Sequence, residues 1–481
     1  MTLSDLERKA IHDLALDARD LLTQDARELL EGMYGLYADG RLEAAARLPQ
    51  VQADPDAAET YRRLEQFLDD EARAGLPKPE AVEKLVKEVA FTHLNRLIAF
   101  KMMETRKLIR GTLDKGTNSN AFKIYLVEVE GAVQGDDAAY RRFLLWQAGQ
   151  VAQEMAVLFD PETLPSRLFP RPRALNALIE RLNQPKMEGC WAADETIGWV
   201  YQFFNEHEKA EVFAALKNKK KIRRQDIPAA TQLFTPNWIV RFLVQNTLGR
   251  TWVHMHPDTR LLNTDLLNYL VPLKGDVPAE PLRAVREITL LDPACGTMHF
   301  GLVAFDLFAA MYQEELDRAG EGGWLDTPSL TDSAEIAAAI VEHNLYGIDI
   351  DLRAVQLSAL ALYLKAKALN KNARISDNHL ACADVLPLNG TRLGTFLREM
   401  KFSPLTERLI KTVWERLKDV NQFGSLLRLE REINALLAGE KKYPMIARIE
   451  AGFDSDEALT DEDFWAVLFS QIIQGLDEFA K

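Results

Sequence analysis

Three acidic residues, Asp292, Asp349 and Asp384, each stand at the end of a short apolar run with the length of a β-strand. Ligands of open parallel sheets bind at the carboxyl ends of the strands. A carboxylate there could accept hydrogen bonds from both hydroxyls of a ribose or from the exocyclic amine of an adenine. A single acid of this kind is more often a helix cap or a turn residue, but three in succession predict a nucleoside-binding site.

The residues beside these acids fit the same chemistry. Gly296, which follows Asp292 closely, can adopt the tight backbone that lets a ligand approach, and the next helix offers free N–H groups to a ligand carboxylate. Val385, beside Asp384, could cover the face of a base. Cys295 also lies in this segment, but no histidine or other base is indicated as its partner, so we do not predict a nucleophile there.

The elements that must position these acids alternate between strand and helix. Apolar runs of strand length occupy residues 287–293, 344–351 and 379–386. Helical apolar spacing fills the intervals, over residues 298–316 and 353–369. The order strand, helix, strand, helix, strand predicts a parallel sheet with right-handed crossovers, and therefore an α/β fold.

Helical patterns flank this α/β region on both sides. We predict four segments: a helical N-terminal domain (1–185), an aromatic helix with a basic connector (186–230), the α/β region (231–395) and a helical segment (396–481). In the N-terminal domain, apolar residues recur at spacings of three and four with charges between them, which is the pattern of amphipathic helices.

Composition restricts the class of protein. The chain has 481 residues, of which 47% are hydrophobic and 27% charged, a balance typical of globular proteins. A net charge of −14 gives no overall attraction to nucleic acid or lipid, so any such binding needs a local patch. Three scattered cysteines fit a reducing cytoplasm and argue against a structural zinc site. No apolar stretch reaches the roughly 20 residues of a membrane span, and the N-terminus has no apolar signal region, so we predict no membrane partner. Together with the cysteine usage, this predicts a cytoplasmic protein without a bound metal.

A run of positive charge lies in the connector. Six basic residues with no acid among them occupy eight positions: Lys217, Lys219, Lys220, Lys221, Arg223 and Arg224. Cationic side chains at this density displace counterions from nucleic acid, so the run is a candidate DNA-binding element. A solvated surface loop is the alternative interpretation.

A possible helix start follows the connector. Thr235 and Pro236 precede the helical run NWIVRFLVQNTL. The pair predicts a helix with the threonine as N-cap and the proline in the first helical position.

Four segments together resemble the adenine-specific DNA methyltransferases. LLDPACGTMHFG, LYGIDIDLRAVQLSALAL and ADVL are similar to motifs I, II and III of that family, and IPAATQLFTPNWIVRFLVQNTLGR is similar to its motif X. The amino-acid sequences of these segments most resemble those of the large methyltransferases of BREX-type (phage growth limitation) defence systems and of the related type IIG restriction–methylation enzymes. The resemblance covers about residues 190–395. It implies a partial Rossmann-like sheet that binds S-adenosylmethionine, whose methyl group is transferred to adenine N6 in double-stranded DNA.

The resemblance also implies a role for each site residue. The methionine end of the cofactor would contact Phe234, Thr235 and Pro236. The loop on its other side would consist of Asp292, Pro293, Ala294, Cys295 and Gly296.

The ribose and the adenine of the cofactor would lie further along the sheet edge. Asp349 would hold the ribose hydroxyls, and Ile350 would lie against the adenine ring. Asp384 would bind the adenine amine, with Val385 beside it. Asp351 is a weaker match to the family's ribose acid than Asp349.

The sequence departs from the family at two points. The common form of motif I has glycine at the position of Met298, so we expect a side chain there to narrow the loop or shift the cofactor. The Asn/Asp-Pro-Pro-aromatic motif that activates adenine N6 and stacks on the flipped base is absent from all 481 residues, so no catalytic residue is assigned. We therefore expect this chain to be the front part of a longer enzyme.

Two other interpretations are open. A non-catalytic subunit could bind cofactor or DNA while a second polypeptide, or another subunit of the defence system, supplies the missing strands and motif. An enzyme of the same superfamily could instead act on RNA or protein.

Overall fold

The structure is a computed structural model of the chain. It describes residues 3–73, 75–129, 137–217, 235–272 and 280–383, with isolated positions after residue 393. Apart from residues 73–75, the described residues up to 383 group into one compact unit.

Helices fill the described part of the chain up to residue 217, as the amphipathic spacing predicts. They are α1 (Asp5–Tyr34), α2 (Pro49–Ala53), α3 (Pro55–Arg73), α4 (Lys78–Thr105), α5 (Asn120–Glu128), α6 (Asp137–Ala152), α7 (Ala156–Phe159), α8 (Leu164–Arg167), α9 (Pro172–Leu182), α10 (Glu195–Phe204) and α11 (Glu206–Lys217). The first helix begins with a capping box between Ser4 and Glu7 and is capped after Tyr34 by Gly35, whose φ of 61° suits glycine.

The later helices alternate with three strands. The helices are α12 (Asn237–Val244), α13 (Arg250–Met255), α14 (His299–Arg318), α15 (Ile336–Ala339) and α16 (Leu352–Leu369). Short π-helical segments, Gln245–Gly249 and Ile340–Asn344, follow α12 and α15. The strands are β1 (Leu290–Asp292), β2 (Leu345–Asp349) and β3 (His379–Cys382).

The three strands form a parallel sheet in the order β1-β2-β3. Asp292 pairs in register with Gly347, and Asp349 pairs with Cys382, so the carboxyl ends of all three strands meet at one edge. The predicted small parallel sheet and helical surroundings are confirmed for the described residues. The first strand begins after its apolar run does, because Glu287 still belongs to a 3₁₀ turn, and the second ends at Asp349, just before the cap residue Asp351 of the next helix.

The helix α4 is the centre of the helical region. Nearly all its side chains from Ala90 to Met103 are buried, and its apolar residues lie on every side of the helix axis. Helices α1, α8, α9 and α16 pack around it. No described helix is both long enough and apolar enough to cross a bilayer.

Helix α16 connects the helical region to the sheet. Ala354, Leu357 and Leu364 join a core formed largely by α1, α4, α6 and α10. Leu362 and Ala366 face a second core that α12, α13 and α14 share. The helix that follows β2 is therefore held from both sides, which fixes the carboxyl end of that strand. The predicted helical segment 396–481 lies outside the described residues except for isolated positions.

Candidate cofactor-binding site

The loop after β1 turns sharply because two of its residues adopt left-handed backbone angles. Gly296 has a φ of 53° and Met298 a φ of 63°. The N–H of Met298 donates to the carbonyl of Cys295 at 2.7 Å and closes the turn. At the start of the loop, the N–H of Ala294 donates to Asp292 Oδ1 at 3.2 Å. The turn directs the amide of Gly296 towards the end of β2.

Asp349 joins the ends of all three strands. Its Oδ2 accepts from the N–H of Gly296 at 2.8 Å, and its Oδ1 accepts from the N–H of Asp351, also at 2.8 Å. Its backbone carbonyl accepts from the N–H of Ala383, just after β3, at 2.7 Å. The sequence placed this acid at a strand end but did not predict that it links its neighbours.

The two carboxyls at the sheet edge, those of Asp349 and Asp292, are more easily protonated than the carboxyl of an exposed aspartate. Burial raises the pKa of Asp349, although its hydrogen bonds from the amides of Asp351 and Gly296 oppose the rise. Burial likewise raises the pKa of Asp292, and the hydrogen bond from Ala294 opposes it. The edge thus carries two carboxyls in partly dehydrated surroundings, where a hydroxyl donor from a ligand stabilises the charged form.

Two further contacts fasten the loop after β1. The N–H of Cys295 donates to the carbonyl of Ile348 at 2.9 Å, and the hydroxyl of Ser358 on α16 donates to the carbonyl of Gly296 at 2.8 Å. Burial raises the pKa of the Cys295 thiol to about 12, so it is protonated at neutral pH. The thiol therefore packs within the loop and offers no nucleophile.

The side chain of Met298 does not enter the loop mouth. It is fully buried in the core of α12, α13 and α14. It fills the space beside Gly301, where an added Cβ would lie 2.5 Å from Met298 Cε. The expected narrowing of the loop by this side chain is wrong, because the left-handed backbone turns it into the core.

Asp351 has structural partners. It caps α16 by accepting from the N–H of Arg353 at 3.0 Å, and it pairs with the guanidinium of the same residue at 2.7 Å. The hydroxyl of Tyr201 on α10 donates to its Oδ2 at 2.9 Å. Although burial opposes ionisation, the charge and hydrogen bonds of Arg353 hold the pKa of Asp351 below its usual value. This acid is therefore occupied within the protein.

The segment before α12 differs from its predicted form. The helix begins at Asn237 with Pro236 in the cap position, and no side chain caps it. The carbonyl of Pro236 accepts from the N–H groups of Ile239 and Val240. The prediction that Thr235 caps this helix is wrong, because the chain enters the helix one residue later. Thr235 itself is half-buried.

The remaining predicted site residues divide into two groups. Ile350 is half-buried, and its carbonyl accepts from the thiol of Cys382 at 3.8 Å. Lys217 ends α11. Several residues lie outside the described part of the chain: Phe234, Asp384, Val385, Lys219, Lys220, Lys221, Arg223 and Arg224.

Three residues that contact the site were not predicted from the sequence. Ser358 and Arg353 lie on α16 at spacings that are common on helix surfaces. Tyr201 lies on α10, 150 residues before Asp351 in the sequence. A side chain's contact with a strand end distant in sequence leaves no local pattern. For the arginine alone, its place two residues after an acid in the sequence allowed an ion pair to be guessed.

Comparison with known proteins places these features in context. No family model matches the chain. It is 28% identical to the adenine-specific methyltransferase PglX of Lacticaseibacillus casei (strain Zhang), over 89% of this chain and 38% of that protein. It is 33% identical to the adenine-specific methyltransferase BrxX of Escherichia coli O9:H4 (strain HS), over 60% of this chain and 25% of that protein. The predicted resemblance to adenine-specific methyltransferases is confirmed, and the chain spans well under half the length of either relative.

Proposed function

We propose that the sheet edge binds S-adenosylmethionine, and that this chain is the cofactor-binding part of a DNA adenine-N6 methyltransferase of a phage-defence or restriction system. The single observation that carries the proposal is the carboxylate of Asp349 at the meeting point of three strand ends. Each carboxylate oxygen accepts one backbone amide there and keeps lone pairs for further donors. The names of the two relatives point to the same chemistry.

The residues present fit the cofactor. Apart from Gly296 and its two chain neighbours, no described residue has an atom within 4 Å of a Cβ placed on Gly296, so the loop leaves space for a ligand against its backbone. Asp349 would accept from the ribose hydroxyls, Ile350 would lie against the adenine, and Thr235 and Pro236 would contact the methionine end. When bound, S-adenosylmethionine supplies an electrophilic methyl group. By resemblance, Asp384 and Val385 would complete the adenine site.

Methyl transfer needs groups that this chain does not supply. The lone pair of adenine N6 is delocalised into the ring, and the family's Asn/Asp-Pro-Pro-aromatic motif accepts its hydrogens and stacks on the base. The 481 residues contain no two consecutive prolines. We therefore expect cofactor binding without methyl transfer by this chain alone.

Calorimetric titration with S-adenosylhomocysteine tests the binding proposal. The wild-type chain should bind, and Asp349→Ala should lose binding because the ribose acceptor is gone. The matched control is Asp326→Ala, which removes an exposed carboxylate from a loop. Absence of binding by the wild-type chain would overturn the proposal. Incubation with duplex DNA and radiolabelled S-adenosylmethionine should leave the DNA unlabelled. Efficient labelling would contradict the expectation that methyl transfer needs groups outside these 481 residues.

We also propose that the basic connector contacts DNA phosphates. Changing Lys219, Lys220 and Lys221 to glutamate should weaken duplex binding and lower the slope of log K against log salt by about 3. A control with the same change of charge replaces three exposed lysines elsewhere: Lys115, Lys123 and Lys371. Equal slopes for the two triple variants would count against the connector.

A non-catalytic binding subunit is the second candidate. The absence of the Asn/Asp-Pro-Pro-aromatic motif from the sequence favours it as much as a longer enzyme. Copurification of a stoichiometric partner that carries the motif, and restores DNA labelling when added, would support this candidate.

A further inference from the structure

A buried polar cluster connects the helical region to the start of α16. Its members are Tyr201, Asn205, Asp351 and Arg353, with the ring of Phe91 beside them. Tyr201 and Asp351 are each no more than 7% exposed. None of these residues belongs to the cofactor contacts proposed above.

The cluster is connected by hydrogen bonds throughout. Arg353 reaches Asp351 Oδ2 at 2.7 Å and Asn205 Oδ1 at 3.0 Å. The guanidinium lies 5.5 Å from the centre of the Phe91 ring. Tyr201 donates to the same Oδ2 of Asp351 at 2.9 Å. The carboxylate of Asp351 is therefore held from the helical region and from its own helix at once.

Asp351 passes this constraint to the cofactor site. Its N–H donates to Asp349 Oδ1, one of the two amide contacts that orient the Asp349 carboxylate. Because the peptide unit is planar and rigid, a shift of the Asp351 backbone moves this N–H with it. The orientation of the ribose acceptor thus depends on contacts made by α10.

We propose that Tyr201 and Arg353 are positioning residues for Asp349, so that the helical region sets the affinity of the site for S-adenosylmethionine. This inference rests on the proposed cofactor binding. A cluster that served only to join the helical region to α16 would contribute to stability alone, whereas a positioning cluster also determines how well the carboxylate meets a ribose.

Tyr201→Phe removes only the hydroxyl that reaches Asp351. We expect the dissociation constant for S-adenosylhomocysteine to rise about three- to tenfold, the effect of losing one hydrogen bond of ordinary strength, because the lost bond acts on Asp349 only through Asp351. We also expect the acid limb of the binding profile to move to higher pH, because a looser Asp351 amide stabilises the Asp349 carboxylate less. Among the described residues, the charged groups that act on Asp349 are Asp292 and Asp351, and both are retained in this variant.

The matched control is Tyr140→Phe. Tyr140 is also buried in the helical region, and its hydroxyl donates to the carbonyl of Thr112 at 2.9 Å. This variant should lose a similar amount of stability while keeping the wild-type dissociation constant and acid limb. Arg353→Lys, which keeps the charge but cannot reach both Asp351 and Asn205, should weaken binding in the same way as Tyr201→Phe.

The outcomes separate the two proposals. Weaker binding and a shifted acid limb in Tyr201→Phe and Arg353→Lys, but not in Tyr140→Phe, support the positioning role. If the wild type binds and all three variants bind as it does, the positioning role is overturned while cofactor binding stands. If the wild type does not bind, the proposed function fails and this inference with it. Thermal unfolding of each variant verifies that the measured chain is folded.

Discussion

The N–H of Gly296 and the carboxylate of Asp349 are joined by a hydrogen bond of 2.8 Å, which ties the loop after β1 to the end of β2. The backbone carbonyl of Asp349 accepts in turn from Ala383 after β3. One residue thus aligns three loops that are widely separated in the sequence. A ligand that binds here meets a carboxylate whose orientation is already set, which lowers the entropy that binding must overcome.

The affinity for cofactor should depend on pH through Asp349. Burial, the largest cause, raises the pKa of Asp349, so its carboxylate takes up a proton at a higher pH than the carboxylate of an exposed aspartate does. Binding of S-adenosylhomocysteine should be constant near neutrality and decline in acid. Asp349→Asn should bind weakly at every pH, since one oxygen becomes a donor facing a backbone N–H. If binding by Asp349→Asn declined in acid in the same way as binding by the wild type, the group that titrates would not be Asp349.

Met298 and Gly301 should behave as a coupled pair. Gly301→Ala should destabilise the wild-type protein, because the new Cβ would meet the buried methionine side chain. In a Met298→Gly background the same alanine should stabilise α14 by about 0.5 to 1 kcal/mol, the usual preference of a helix for alanine over glycine. Urea unfolding of the wild type, both single variants and the double variant measures the coupling. Additive effects would show that the two residues do not share this space.

Glu88 should make stability fall as pH rises. Burial raises its pKa to about 7, although the charge of Lys84 opposes the rise. Between the ordinary value of 4.5 and 7 the folded state therefore holds a proton that the unfolded state releases, so stability declines across this interval and is constant above it. Glu88→Gln should be more stable than the wild type at pH 8 and similar to it near pH 4.5.

The size of this effect is limited by solvent. The full change in pKa corresponds to about 3 kcal/mol, and we expect about 1 to 2 kcal/mol because the Glu88 side chain keeps some contact with water. Thermal unfolding at the two pH values measures it, with the exposed Glu335→Gln as control. An equal gain at both pH values would exclude proton linkage as the cause.

The cysteines should differ in reactivity. Burial raises the pKa of Cys190 to about 11 and that of Cys295 to about 12, whereas Cys382 is partly exposed. A thiol reagent at pH 8 should modify Cys382 rapidly, because it is accessible, and the other two only after unfolding, because their thiols are buried and burial opposes formation of the reactive thiolate. Cys382→Ser should remove the fast reaction, and Cys295→Ala should retain cofactor binding. Rapid modification of Cys295 in the folded protein would contradict its place inside the loop.

Local pattern in the sequence was sufficient to predict the elements. The apolar runs and helical spacing around residues 287–382 predicted three strands and two connecting helices in the observed order. The same local pattern placed Asp292 and Asp349 at strand ends, because strand alternation and helix periodicity are properties of neighbouring residues. The helical character of the N-terminal region followed from the same periodicity.

Tertiary structure alone decided what the site residues contact. Three contacts depend on residues that packing brings together. The amide of Gly296 donates to Asp349, and Tyr201 donates to Asp351. The side chain of Met298 lies against Gly301. Such contacts leave no periodic trace, because each depends on the direction of one side chain and the position of a distant backbone. The sequence by itself thus determined which elements form and which acids end the strands, and the packing of α16 between two cores determined that Asp349 links the three strand ends while Asp351 pairs within the protein.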